Sequence, residues 1–120
     1  MTSGPEAEPL IVGLSACDSC RAARRALPAA GFRDIRRDPL SAAERAALLE
    51  RFGDALVNRA SRTWRSLSPD EQARDAETLL AAHPALMKRP AILAGGQGCL
   101  GWNARTRAAL AAAGVLPEGA

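Results

Sequence analysis

Two cysteines separated by two residues, in Ala16-Cys17-Asp18-Ser19-Cys20-Arg21, constrain this chain more than any other feature. An apolar run, Leu10-Ile11-Val12-Gly13-Leu14, comes just before the pair, and a helix-like stretch from Arg21 to Ala30 follows it. A C-x-x-C placed where a strand hands over to a helix reads as a redox site. Thiols at i and i+3 share a helix face. The first of them sits where the unpaired backbone N–H groups point, a setting that suits an anion. Two other readings compete. Structural zinc needs four ligands, and beyond this pair only Cys99 and His83 are candidates, neither in a second knuckle. Packing is the other: Ala16, Cys20, Ala23, Leu27 and Ala30 recur at helical spacing as an apolar stripe. Cys20 lies on that stripe and Cys17 does not, so Cys17 is the stronger candidate for a reactive thiol.

The 120 residues fit one compact domain with a real core, and no apolar run approaches the roughly 20 residues a membrane-spanning helix needs. The opening segment carries two acids and no basic region, so residues 1–8 are expected to be a short disordered lead rather than a secretory leader. An odd cysteine count argues against a secreted disulfide framework and for a cytoplasmic, thiol-based protein. The net charge of +3 is carried almost wholly by arginine, since Lys88 is the sole lysine. Mild basicity of this kind suits small anions. The arginines alternate with acids and aromatics are few, so direct nucleic-acid binding is not expected.

Along the chain, Leu10–Ser15 reads as a buried strand and Cys17–Ala30 as the first helix, ended near Pro28 and Gly31. Phe32–Arg37 reads as a second strand. Ser41-Ala42-Ala43-Glu44 is a capping box opening a helix up to Arg51, stopped by Gly53. The stretch from Asp54 to about Pro84 reads as short helical pieces, with a second capping box at Ser68-Pro69-Asp70-Glu71 and a cap at Asp75, the last piece turning Leu79, Leu80 and Ala82 inward. Ala91–Ala94 is a strand, Gly95–Gly98 a hairpin loop, and Cys99–Gly101 the start of the return strand. Asn103 caps a last helix, Ala104–Ala113, closed by Gly114. This order is that of an α/β, thioredoxin-like (glutaredoxin-like) fold: a four-stranded mixed sheet with a helical insertion, spanning residues 9–114 as a single domain with a tail at 115–120.

Several blocks in order resemble the arsenate reductase (ArsC)/Spx family: Cys17–Leu27, Phe32–Leu40, Leu56–Arg59, Thr63–Leu67, His83–Ile92 and Leu100–Trp102. The resemblance covers about Leu10 to Leu110, and the order and spacing of the blocks carry it rather than any one of them. It implies a nucleophilic Cys17, an Arg89 that faces it, and a cis Arg89–Pro90 peptide. A guanidinium there would hold an oxyanion through paired hydrogen bonds. Arsenate reductases of the family cradle the oxyanion with further arginines. Trp102 stands where one would lie in the last strand, and the other falls near Arg59 or Arg62, with Ala60 at the aligned position. The second cysteine is a feature of the Spx-like regulators, and Asp18 with Ala23-Arg24-Arg25 is closer to a thiol-reductase-like branch thought to use glutathione.

The expected activity is thus a thiol-dependent reductase acting on a small oxyanion or a mixed disulfide. Cys17 and Cys20 would be catalytic, Arg89, Arg59 and Arg21 would bind the anion, and no cofactor or metal would be bound. Glutathione is the expected co-substrate and glutaredoxin a partner. The alternative is an Spx-like redox switch docking on RNA polymerase. Cys99 resolves a Cys17 intermediate only if its strand lies close, and is otherwise structural. His83 reads as a capping or surface residue, and Trp64 and Trp102 as packing residues.

Overall fold

The computed structural model describes residues 9–94 and 96–116, so the expected lead over residues 1–8, Gly95 of the hairpin and residues 117–120 of the tail lie outside the described residues. The described chain divides into two compact units, one from residues up to Ile35 together with those from Arg89 onward, the other from Arg36 to Lys88.

The first unit is a four-stranded mixed sheet in the order β2-β1-β3-β4. Strand β1 (Leu10–Gly13) runs parallel to β2 (Gly31–Asp34) and antiparallel to β3 (Ala91–Ala94), which pairs antiparallel with β4 (Gln97–Leu100). The register aligns Phe32, Ile11, Ile92 and Cys99 across neighbouring strands. Because successive residues of a strand point to opposite faces, this row shares one face. Ala23 from helix α1 (Asp18–Ala26), Leu27 at its C-cap and Leu110 from α6 (Ala104–Ala112) join Ile11 and Ile92 in one buried cluster. Both helices therefore cover the same side of the sheet.

The apolar stripe of α1 is partly as expected: Cys20, Ala23 and Leu27 are buried, but Ala16 precedes the helix and is exposed. The helix also ends at Ala26 rather than Ala30. Leu27 precedes Pro28, whose ring disfavours helical backbone one residue upstream, and Leu27 sits at φ −125°, ψ 67°. Strand β2 starts one residue earlier than expected and stops at Asp34. Gln97 and Gly98, expected in the hairpin loop, already pair as strand. Asn103 caps α6 by accepting from the Thr106 N–H at 2.9 Å. Gly114 closes that helix at φ +78°, a conformation that favours glycine, and lets the N–H groups of Val115 and Leu116 return to the Leu110 carbonyl. Leu116 is buried in the cluster, so packed chain continues past Gly114.

The second unit holds α2 (Ala42–Phe52), a 3-10 turn at Gly53–Leu56, α3 (Arg62–Arg65), α4 (Pro69–Gln72), α5 (Ala76–Ala82) and a second 3-10 turn at Pro84–Leu86. Both expected capping boxes form, Ser41 with Glu44 and Ser68 with Glu71, and Asp75 accepts from Thr78 N–H. Each of these local bonds satisfies a first-turn donor that has no partner within its own helix. Leu48, Leu79, Leu80, Leu86 and Met87 are buried, while Ala82, expected inward, is exposed. Arg45 ties α2 to α5. Its Nε and Nη2 donate to both carboxylate oxygens of Glu77, and its Nη1 donates to the Leu40 carbonyl at 2.8 Å. A planar fork fixes geometry in a way an ammonium does not.

Candidate active site

Cys17 is the N-cap of α1, in extended backbone at φ −82°, ψ 126°. Its N–H donates to Leu14 O at 3.1 Å, and its carbonyl accepts from Arg21 N–H at 2.9 Å. The turn over Leu14–Cys17 thus delivers the chain from β1 directly into the helix. No side chain caps α1, so the first-turn N–H groups remain available in front of the half-buried Cys17. The turn is anchored from β2. Ser15 donates through both its N–H (3.2 Å) and its Oγ (2.6 Å) to Asp34 Oδ2, and Ile35 N–H donates to Gly13 O at 2.9 Å.

Cys20, one turn on, is fully buried. Burial pushes its thiol up from an ordinary 9.0 to about 11, and the hydrogen bond and charge of Cys17 push the same way. A hydrogen bond from the Leu14 backbone and the charge of Arg89 oppose the rise without cancelling it. Room for this sulfur comes from Gly13, where a β-carbon would lie 2.3 Å from Cys20 Sγ. The same point is 3.9 Å from Arg89 Cβ, so Gly13, Cys20 and Arg89 meet at one place. Both cysteines are free thiols.

A raised thiol pKa sets a direction for alkaline stability. The unfolded chain loses the Cys20 proton near 9.0 and the folded chain only near 11, so the stabilisation is fully present below pH 9.0 and is lost as pH rises toward 11. Burial raises the Cys99 thiol too, which adds the same sign. The thermal midpoint is expected to fall across this window, and to fall less steeply in Cys20→Ala. Equal slopes in both proteins would remove Cys20 as the cause.

The structure brings together four of the residues singled out from sequence: Cys17, Cys20, Arg89 and the cis Arg89–Pro90 peptide. Arg89 is half-buried and has no carboxylate partner among the described residues. Arg21, by contrast, is held by Asp18 through its Nη2, at i and i+3 of the exposed helix face. Arg59 lies in the helical unit, 3.6 Å from Asp54 Oδ1, with its guanidinium 5.2 Å from the Trp64 ring. Trp102 packs against the sheet cluster beneath Arg107, 5.8 Å away, and the half-buried Cys99 ends the row across β1, β3 and β4. That row places Cys99 two strands, about 10 Å, from Ile11. His83 caps α5, and its Nε2 lies 3.2 Å from Glu71 Oε2. Among the described residues no group of three or more His, Cys, Asp or Glu is placed to hold a metal, and no helix is long and apolar enough to cross a membrane.

Gly13 and the Ser15–Asp34 clamp were not singled out from sequence. The signal for Gly13 was present: a glycine in the strand that leads into a C-x-x-C implies a close approach by something.

The ArsC family model matches residues 12–110. Among curated proteins, an uncharacterized protein from Haemophilus influenzae is 46% identical over 59 residues, covering 43% of this chain and 50% of that one. The match therefore spans about half the length of that relative. Among solved structures, a YffB protein is 27% identical with a TM-score of 0.73, covering 83% of this chain and 96% of the other. An arsenate reductase (ArsC) related protein from Brucella melitensis is 27% identical with a TM-score of 0.68, covering 89% and 97%.

Proposed function

Because this chain belongs to the ArsC family, with the mixed sheet and helices of its arsenate reductase-related neighbours, we propose that it is a thiol-dependent reductase that attacks through Cys17 and uses glutathione as electron donor. The observation that carries this reading is the pairing of unlike thiols. Cys17 stands at the open N-terminus of α1, and Cys20 lies buried beneath it as a protonated thiol.

The substrate this site suits best is a glutathione mixed disulfide, R–S–S–G. The Cys17 thiolate attacks the glutathione sulfur, the S–S bond breaks, and R–S⁻ leaves and takes a proton from water. A Cys17–S–S–G disulfide remains. The thiolate of a second glutathione attacks its glutathione sulfur, releasing oxidised glutathione and restoring the Cys17 thiolate. One glutathione thiol is consumed in each turnover, and the other half of the released oxidised glutathione comes from the substrate disulfide. Arg89 binds a glutathione carboxylate, and the first-turn N–H groups of α1 steady the negative charge on the departing sulfur. Cys20 is a poor competitor for the second step, because a thiol near 11 is almost wholly protonated at neutral pH. Trp102 and Ala60 stand where the family's arsenate reductases place further oxyanion-binding arginines, which favours the disulfide over arsenate.

Mass spectrometry of the protein after treatment with oxidised glutathione tests this. The expected product is a single glutathione on Cys17, removed by reduced glutathione. A Cys17–Cys20 disulfide as the sole product would overturn glutathione as the resolving thiol. Faster turnover of arsenate than of a glutathione mixed disulfide would overturn the substrate.

A further inference from the structure

Along the outer side of α1 runs a cavity of about 450 Å³ that the chemistry of the two thiols does not use. Arg21, Arg24 and Arg25 line it on one side, and Leu27, Pro28 and Phe32 make its apolar part. The Arg24 guanidinium lies 4.1 Å from the centre of the Phe32 ring, which holds it flat while leaving its edge donors open. Asp18 engages only one Nη of Arg21. Arg24 and Arg25 have no carboxylate partner among the described residues. Three cations thus face one short apolar trough, opposed by one acid.

We infer that this groove binds an acidic, extended peptide segment of a partner protein, in which carboxylate and apolar side chains alternate. The spacing supports an extended chain. Arg21 and Arg25 are four residues apart on a helix, a rise of about 6 Å. Residues i and i+2 of an extended chain point the same way and are about 6.7 Å apart. Two carboxylates at such positions therefore reach successive arginines, and the residue between them turns to the opposite side. A trough with a basic wall and an apolar wall accepts that alternation. A purely acidic ligand would leave the exposed Pro28 and the open part of the half-buried Phe32 uncovered, and a purely apolar one would cover guanidinium groups without pairing them, which is costly. Arg21, the residue after Cys20, lines the groove, and neither Cys17 nor Cys20 does.

A fluorescein-labelled Glu-Phe-Glu-Leu-Glu peptide, titrated by fluorescence anisotropy, tests the assignment independently of any reductase activity. Saturable binding is expected, weakening as salt rises. Arg24→Glu with Arg25→Glu should weaken it at least about tenfold. Both side chains are exposed, so folding should survive, and the rate of Cys17 alkylation should stay unchanged. Arg105→Glu, on α6, should bind as the parent does. Binding that is absent, that is equally strong for a Lys-Phe-Lys-Leu-Lys peptide, or that persists in the double variant overturns the proposal. So does displacement by inorganic phosphate at the concentration of the peptide, which would make the groove a site for a small anion.

Discussion

Cys17→Ser is expected to lower kcat/KM for a glutathione mixed disulfide by at least about 10³-fold, and Cys20→Ala by less than about tenfold. Both residues belong to one motif, so a symmetric dithiol site would lose activity equally at either position. The structure makes them unequal. With its thiol at about 11, roughly one Cys20 in ten thousand is ionised near pH 7, and its sulfur is out of contact with water. Cys17 is half-buried and faces unpaired N–H groups that a leaving or attacking sulfur can use. Iodoacetamide applied near neutral pH supplies a second readout: native protein should be labelled at Cys17 and spared at Cys20, and Cys17→Ser should be labelled at neither. Loss of turnover in Cys20→Ala as complete as in Cys17→Ser, with the protein still folded, would show that Cys20 resolves the intermediate and that the site works as a dithiol.

What the sequence discloses and what it hides divide along the range of the interactions. The caps at Ser41, Ser68, Asp75 and Asn103 were all legible, because each is made within three residues of its own chain. The four strands and their succession along the chain followed from apolar runs and turn residues, whereas their order in the sheet did not. The end of α1 was misplaced by a residue-level rule with a local cause, Leu27 preceding Pro28. The arginines were harder. Type and position made Arg21, Arg59 and Arg89 look alike as anion ligands. Only geometry shows that Arg21 is held by Asp18, that Arg59 lies with Asp54 and Trp64, and that Arg89 sits beside Gly13 without an acid. The Arg24–Phe32 stack joins a helix to the strand after it, and no spacing rule within either element predicts it.

Gly13→Ala is expected to destabilise the sheet unit by about 1–3 kcal/mol, and Cys20→Ala in the same chain is expected to recover most of that loss. The new methyl would stand 2.3 Å from Cys20 Sγ, far inside the roughly 3.5–4.0 Å at which non-bonded heavy atoms attract. The sulfur has one torsion with which to escape. Helical backbone closes one of its three wells, and leaving its present well breaks its contacts with Leu14 and Cys17. Gly13 itself is pinned, since it pairs with Asp34 of β2 and its carbonyl accepts from Ile35. The clash therefore falls on a side chain that cannot move cheaply. Removing the sulfur resolves it. The Cys20 Cβ lies 3.5 Å from the same point, an ordinary van der Waals contact, so alanine at both positions packs without overlap. Urea unfolding of the two single variants and the double variant closes the cycle. The signature is non-additivity: Gly13→Ala costly alone and nearly neutral on a Cys20→Ala background. Additive costs, or a Gly13→Ala protein as stable as the parent, would mean that Gly13 does not make the seat of the Cys20 sulfur.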